Sequence, residues 1–147
     1  MHKSHKDDIG YQVQQISHLV KQLQNERLVK EGLSISHMNV MFVLYDEDRV
    51  NQSHIQHHLG IKASSLSKLI DILIQKGLVT RESLDGDARS KIICLTDLGK
   101  EKQSQLYKIR DELEGQLTEH LSKEETEELA RMLSQVKSNV DKYYYSS

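Results

Sequence analysis

Apolar residues fall at Ile9, Val13, Ile16, Val20 and Leu23, in alternating steps of four and three that trace a seam along one side of a helix. The spacing predicts one long helix from Ile9 to near Gly32. Before it, Met1 to Asp8 lack an apolar anchor and should fray. Ser34 stands where a side chain would cap a second helix, and Met38 with Val40 to Tyr45 make that helix apolar on nearly every side, as suits the buried centre of a domain. Asn51 can cap a short third helix that stops at Gly60. Leu66, Leu69, Ile70, Leu73 and Ile74 then sit at i, i+3, i+4, i+7 and i+8, with Gly77 as the stop, which predicts an amphipathic helix of about fifteen residues.

The period then changes. Leu78 to Leu84 and Ser90 to Thr96 are short runs with β-branched residues on either side of Asp85-Gly86-Asp87-Ala88-Arg89, in which Asp-Gly is a turn signal. A hairpin with a charged tip follows. Thr96 can cap a fifth helix running to about His120, with Leu106, Ile109, Leu113 and Leu117 repeating at three and four. Ser122 and Glu125 form a capping box for a sixth, with Leu129, Met132, Leu133, Val136, Val140 and Tyr143 on one face.

A short helix, a turn through Gly60, an amphipathic helix and a hairpin make a helix-turn-helix with a β wing. The expected fold is therefore mainly α: a winged helix-turn-helix over residues 34–96, inside a single domain of residues 1–147, with long N- and C-terminal helices over 9–31 and 97–145. The terminal seams have no evident partner in so short a chain. A second copy would cover them, so a two-fold homodimer with a dimerisation region built from these helices is expected.

Composition sharpens this picture at a few points. The 147 residues contain no Pro and seven Gly, so little interrupts the helices. One cysteine, Cys94, excludes an intramolecular disulfide, and no apolar run approaches a membrane span or a signal-peptide core, which points to a cytoplasmic protein with no membrane association. The net charge is −2, so any basic surface must be local. Lys+Arg against Asp+Glu counts 6 and 7 in residues 1–50, 7 and 5 in 51–100, and 7 and 10 in 101–147. Only the middle, where the helix-turn-helix falls, is net positive.

The run from Ile61 to Leu73 (IKASSLSKLIDIL), then Lys76-Gly77-Leu78-Val79-Thr80-Arg81, Asp87-Ala88-Arg89-Ser90-Lys91 and Leu95-Thr96-Asp97-Leu98-Gly99-Lys100, resembles in order and spacing the MarR family of bacterial transcription regulators. The resemblance implies a dimeric winged-helix protein that binds pseudo-palindromic double-stranded DNA operators, usually as a repressor and often of its own operon. It implies that the helix from about Ala63 to Lys76 enters the major groove with Ser64, Ser65, Ser67 and Lys68 toward the DNA. Short hydroxyls suit base edges and phosphates, and a Lys there neutralises a phosphate or reads guanine. Lys62 would stand near the helix N-terminus, which favours phosphate. Arg89 at the wing tip would enter a minor groove, oriented by Asp87, with Arg81 and Lys91 at the wing base as phosphate contacts. An acid facing DNA repels phosphate, so Asp71 reads as half of a structural ion pair. A groove near His18, His37, Met38 and Met41 would take a small phenolic or lipophilic effector.

Three positions depart from the family pattern: Gln56 where a small Ala is common, Lys62 where Ser or Thr caps the recognition helix, and Ile72 where a basic residue is common. Rival chemistries leave fainter marks. His54, His57 and His58 share one helix at i, i+3 and i+4, yet no Cys or second carboxylate–His cluster joins them, so no metal is assigned. Cys94 stands between Ile93 and Leu95 and reads as a small strand residue, with oxidation sensing as the lesser alternative. No nucleophile elbow, P-loop, dinucleotide fingerprint or H-E-x-x-H occurs, so neither an enzyme nor a cofactor is expected. A dimeric winged-helix scaffold acting through protein contacts is the remaining alternative, beside a metal- or redox-responsive regulator.

Overall fold

The computed structural model describes residues 4–84 and 87–145; the side chains of residues 84–89 and 145 fall outside that description. The chain divides into two compact units, Met1–Arg110 and Asp111–Ser147.

In the first unit, Ser4 caps a short 3-10 turn at His5–Asp7 directly before the first helix, within the segment expected to fray, whose first three residues lie outside the described ones. Helix α1 spans Ile9–Val29 and ends three residues before Gly32, because the chain needs a left-handed residue (φ +71°) there to turn toward α2. Helix α2, Ile35–Asp46, buries Met38, Val40, Met41, Val43 and Leu44, as its all-round apolarity requires. Its N-terminus carries a reciprocal box. The Ser34 hydroxyl accepts from the His37 N–H, and His37 Nδ1 accepts the Ser34 N–H at 3.0 Å.

The Asn51 side chain caps helix α3 (Gln52–Leu59), which stops at Gly60, whose left-handed backbone (φ +66°) returns its N–H to the carbonyls of Gln56 and His57. Helix α4, Ala63–Gln75, follows after two residues and buries Leu66, Ile70 and Leu73 completely. Each such side chain contributes about 1.5–3 kcal/mol by leaving water. Burial on that side points the opposite stripe of α4 outward.

Strands β2 (Val79–Leu84) and β3 (Asp87–Leu95) form the antiparallel wing, with Val79 opposite Leu95 and a register shift between Ser83 and Leu84. Leu84 lies opposite Asp87, and the Asp85-Gly86 turn itself lies outside the described residues. The far edge of β3 pairs with β1 (Val50–Asn51), giving the order β1-β3-β2. Two residues are too few for a period to reveal, and β1 is a strand only because β3 lies beside it.

The fifth helix of the sequence reading is two helices, α5 (Asp97–Glu101) and α6 (Gln103–Leu117), with one non-helical step at Lys102. The flanking bonds persist, Lys102 N–H to Leu98 at 3.1 Å and Leu106 N–H to Lys102 at 3.1 Å, so the interruption is local. Thr96 caps α5 as expected, its hydroxyl accepting from the Gly99 N–H. Gly99 is required by space: a Cβ there would lie 2.2 Å from the Leu78 carbonyl oxygen. The missing side chain lets α5 lie directly on the start of the wing.

The second unit contains the end of α6 and helix α7, Lys123–Tyr145. The Ser122–Glu125 capping box forms in both directions, at 2.8 and 3.0 Å. Along α7 the apolar face of Leu129, Met132, Leu133, Val140 and Tyr143 is exposed.

Candidate nucleic-acid interface

Helix α4 collects most of the predicted contacts. Ser64, Ser65 and Lys68 are exposed, while Ser67, on the flank toward the wing, is half-buried. Lys62 occupies the N-cap without a capping bond, so the first amides of α4 keep donors that no side chain fills. Hydroxyls, an ammonium and free amides thus share one end of one helix, a donor-rich surface suited to an anion.

The wing residues divide. Lys91 lies on β3 opposite Ser83 and is half-buried. Asp87 and Arg89 belong to β3 by backbone, but their side chains, and with them the minor-groove role of Arg89 and the orienting role of Asp87, lie outside the described residues. Arg81 is turned toward protein. Its Nε donates to Gln52 Oε1 at 3.2 Å, one Nη to Asp71 Oδ1 at 2.9 Å and the other to the Ser67 carbonyl at 3.5 Å. A phosphate would have to compete with three acceptors already in place. Asp71 is thereby half of an ion pair, as its position among residues expected to face DNA suggested.

Other features escaped sequence reading. Asp48 Oδ1 accepts the backbone N–H of Arg49 and of Leu95, both at 2.8 Å, and so fastens the turn after α2 to β3. Arg49 holds a left-handed backbone (φ 60°) there. An Asp before a turn is the available signal, but its second partner lies 47 residues away. A groove of about 380 Å³ opens beside α4, lined in part by Leu59, Ile61, Leu69 and the Ser65 and Lys68 side chains.

The residues expected near an effector are found in different settings. Met38 and Met41 belong to the hydrophobic core, His18 is exposed, and His37 closes the α2 cap. Burial, helped by the charge of Lys76, holds the His37 pKa below the ordinary imidazole value. The neutral ring is the form whose Nδ1 can accept the Ser34 N–H.

His54, His57 and His58 are exposed on α3, with the His54 and His58 ring centroids 6.4 Å apart. Among the described residues no three His, Cys, Asp or Glu side chains are grouped to hold a metal ion. Cys94 is buried, and that burial raises its thiol pKa despite Arg49 Nη1 at 3.4 Å from the sulfur, which is the reverse of an activated thiolate. Among the described residues no helix is long and apolar enough to cross a membrane.

Residues 33–91 match the model of the MarR family. The chain is 26% identical over 110 residues, 75% of its length and 67% of the relative's, to an uncharacterised HTH-type transcriptional regulator of Bacillus subtilis, YdgJ. Among solved structures it resembles the S. aureus MepR–DNA complex, at 27% identity and a TM-score of 0.80 over 93% of this chain and 99% of that one. A MarR transcriptional regulator from Methanosarcina mazei Go1 has the same fold, with a TM-score of 0.83 at 23% identity over 94% of this chain and 92% of its own.

Proposed function

From the match of residues 33–91 to the MarR family of transcription regulators, we propose that this chain is a regulator of that kind and not an enzyme, acting in the cytoplasm as a homodimeric repressor of a pseudo-palindromic DNA operator. The observation that carries the reading is the division of α4 into two faces. Leu66, Ile70 and Leu73 lock one into the core, and Ser64, Ser65 and Lys68 stand free on the other. A helix held rigidly by one face can present the other to a major groove without losing order.

In this reading each subunit places α4 in one major groove, with Ser65 toward base edges, Lys68 toward phosphate or guanine, and the α4 N-terminus beside a phosphate. Arg89 reaches the flanking minor groove. Two-fold symmetry sets the half-sites about one helical turn apart. The exposed apolar faces of α1 (Ile9, Val13, Ile16) and of α7 favour a second copy as their cover. A small phenolic or lipophilic effector that changed the separation of the two α4 helices by a few ångströms would cost both half-sites at once and relieve repression.

The test is a titration of purified protein against the DNA upstream of its own gene and against a scrambled control, each at two salt concentrations. Two protomers per specific site, with affinity falling steeply as salt rises, is the expected result. Equal weak binding to both DNAs, repeated for every sequence recovered by site selection, would refute it in favour of a protein-contact scaffold.

A further inference from the structure

We propose that Arg81 is a positioning residue for DNA reading: a clamp that sets the angle of α4 against the wing and the start of α3, acting through Asp71, Ser67 and Gln52 rather than by touching DNA. The inference rests on the reading of α4 as the element that meets DNA.

Arg81 rises from β2, where its backbone lies opposite Ile93, and spends its guanidinium on two other elements. Asp71 and the Ser67 carbonyl are one helical turn apart on α4, and Gln52 begins α3. A planar fork with donors in fixed directions suits three acceptors on two helices; an ammonium on a flexible stem does not. The Arg81 side chain retains only 22% of its exposure, against 59% for Asp71. The half-buried cation thus holds a carboxylate that stands at the surface. That carboxylate lies one turn beyond Ser67 and Lys68, on the side of α4 assigned to DNA, where an unpaired acid would repel phosphate. Arg81 therefore both neutralises Asp71 and ties the outward stripe of α4 to the base of the wing. Both DNA-contacting elements then move as one body.

The clamp makes predictions that a phosphate contact does not. Arg81→Ala should weaken specific binding about tenfold while leaving the salt slope unchanged, whereas loss of a phosphate contact lowers that slope by about one. Arg81→Lys keeps the charge and should fail to restore affinity. Asp71→Asn removes a negative charge near DNA, which by electrostatics alone strengthens binding; the clamp requires it to weaken binding instead, and the double variant to be no worse than Arg81→Ala. Hydrogen exchange in the free protein supplies a readout without DNA, with faster exchange expected in α4 and β2 of both single variants. All comparisons use a DNA that the wild-type protein binds. If Arg81→Lys restored full affinity, or Asp71→Asn bound DNA more tightly, the clamp would be overturned and the DNA-binding reading would stand. If no DNA were found that the wild type binds, that reading would fail first and the clamp's role with it. Variants are compared only after circular dichroism shows wild-type helix content.

Discussion

Helices α4 and α7 share one design and meet opposite fates. Both repeat apolar residues at three and four. In α4 the centre of the apolar face is enclosed by its own chain, with Leu66, Ile70 and Leu73 at 0% exposure, while Ile74 near its end keeps 36%. In α7 Leu133 keeps 51% and Val140 59% of their exposed area. Periodicity states that a face will seek cover; it does not state whose. In the proposed function the in-chain cover makes α4 a rigid reading helix, and the uncovered face of α7 is offered to a second copy.

Breaking the α4 side of this comparison should have the largest effect. Ile70→Ala removes a fully buried side chain and should lower unfolding stability by about 2–5 kcal/mol, measured by denaturant titration, because the cavity adds to the lost transfer energy. An unchanged midpoint would mean that α4 is not anchored as described. On the α7 side, Leu133→Asp should weaken dimerisation by about a hundredfold or more, since a charge would be desolvated in an apolar seam. Ultracentrifugation should then find mass near the 17.0 kDa of one chain at concentrations where the wild type is paired. A variant that stayed dimeric would move the interface elsewhere.

Smaller effects sharpen the same contrast. Ser65→Ala touches neither core nor seam and should change operator preference by about 1 kcal/mol with stability unaltered, measured by competition between operator variants. The smallest concerns the α2 cap. The folded chain depresses the His37 pKa from 6.5, so at pH values well above this both folded and unfolded states hold it neutral. As pH falls below it, the unfolded chain takes up the proton more readily, and stability declines until the folded group's own lower pKa is reached. A thermal melt at pH 7.5 and at 5.5 should show this loss, and His37→Gln, which can still accept the Ser34 N–H but cannot titrate, should remove that part of the slope.

Several elements were legible because their causes are local. The α7 capping box needs only Ser122 and Glu125, three residues apart, and the stop of α3 needs only Gly60. The Ser34 cap was equally plain, but its partner was not, since His37 fills a place where Glu or Gln is usual. The outward face of α4 followed from the inward one, and of the four residues expected on it Ser64, Ser65 and Lys68 are exposed while Ser67 is half-buried; their role toward DNA came from the family resemblance. The protein partners of Arg81 could not be read from the chain alone. A cation at the base of a wing suggests phosphate, and only the fold shows Gln52 and Asp71 within reach of it.

The sequence by itself determined where most helices begin and end (though not the break at Lys102), which face of each is apolar, and that a hairpin interrupts them, because caps, turns and periods act over four residues or fewer. Tertiary structure decided what lies across a gap. It made Val50–Asn51 a strand by laying β3 beside it, placed α5 against the wing through the bare Cα of Gly99, and committed the Arg81 charge to the protein. Those outcomes depend on pairs separated by ten to fifty residues or so, and no local pattern encodes the distance between such partners.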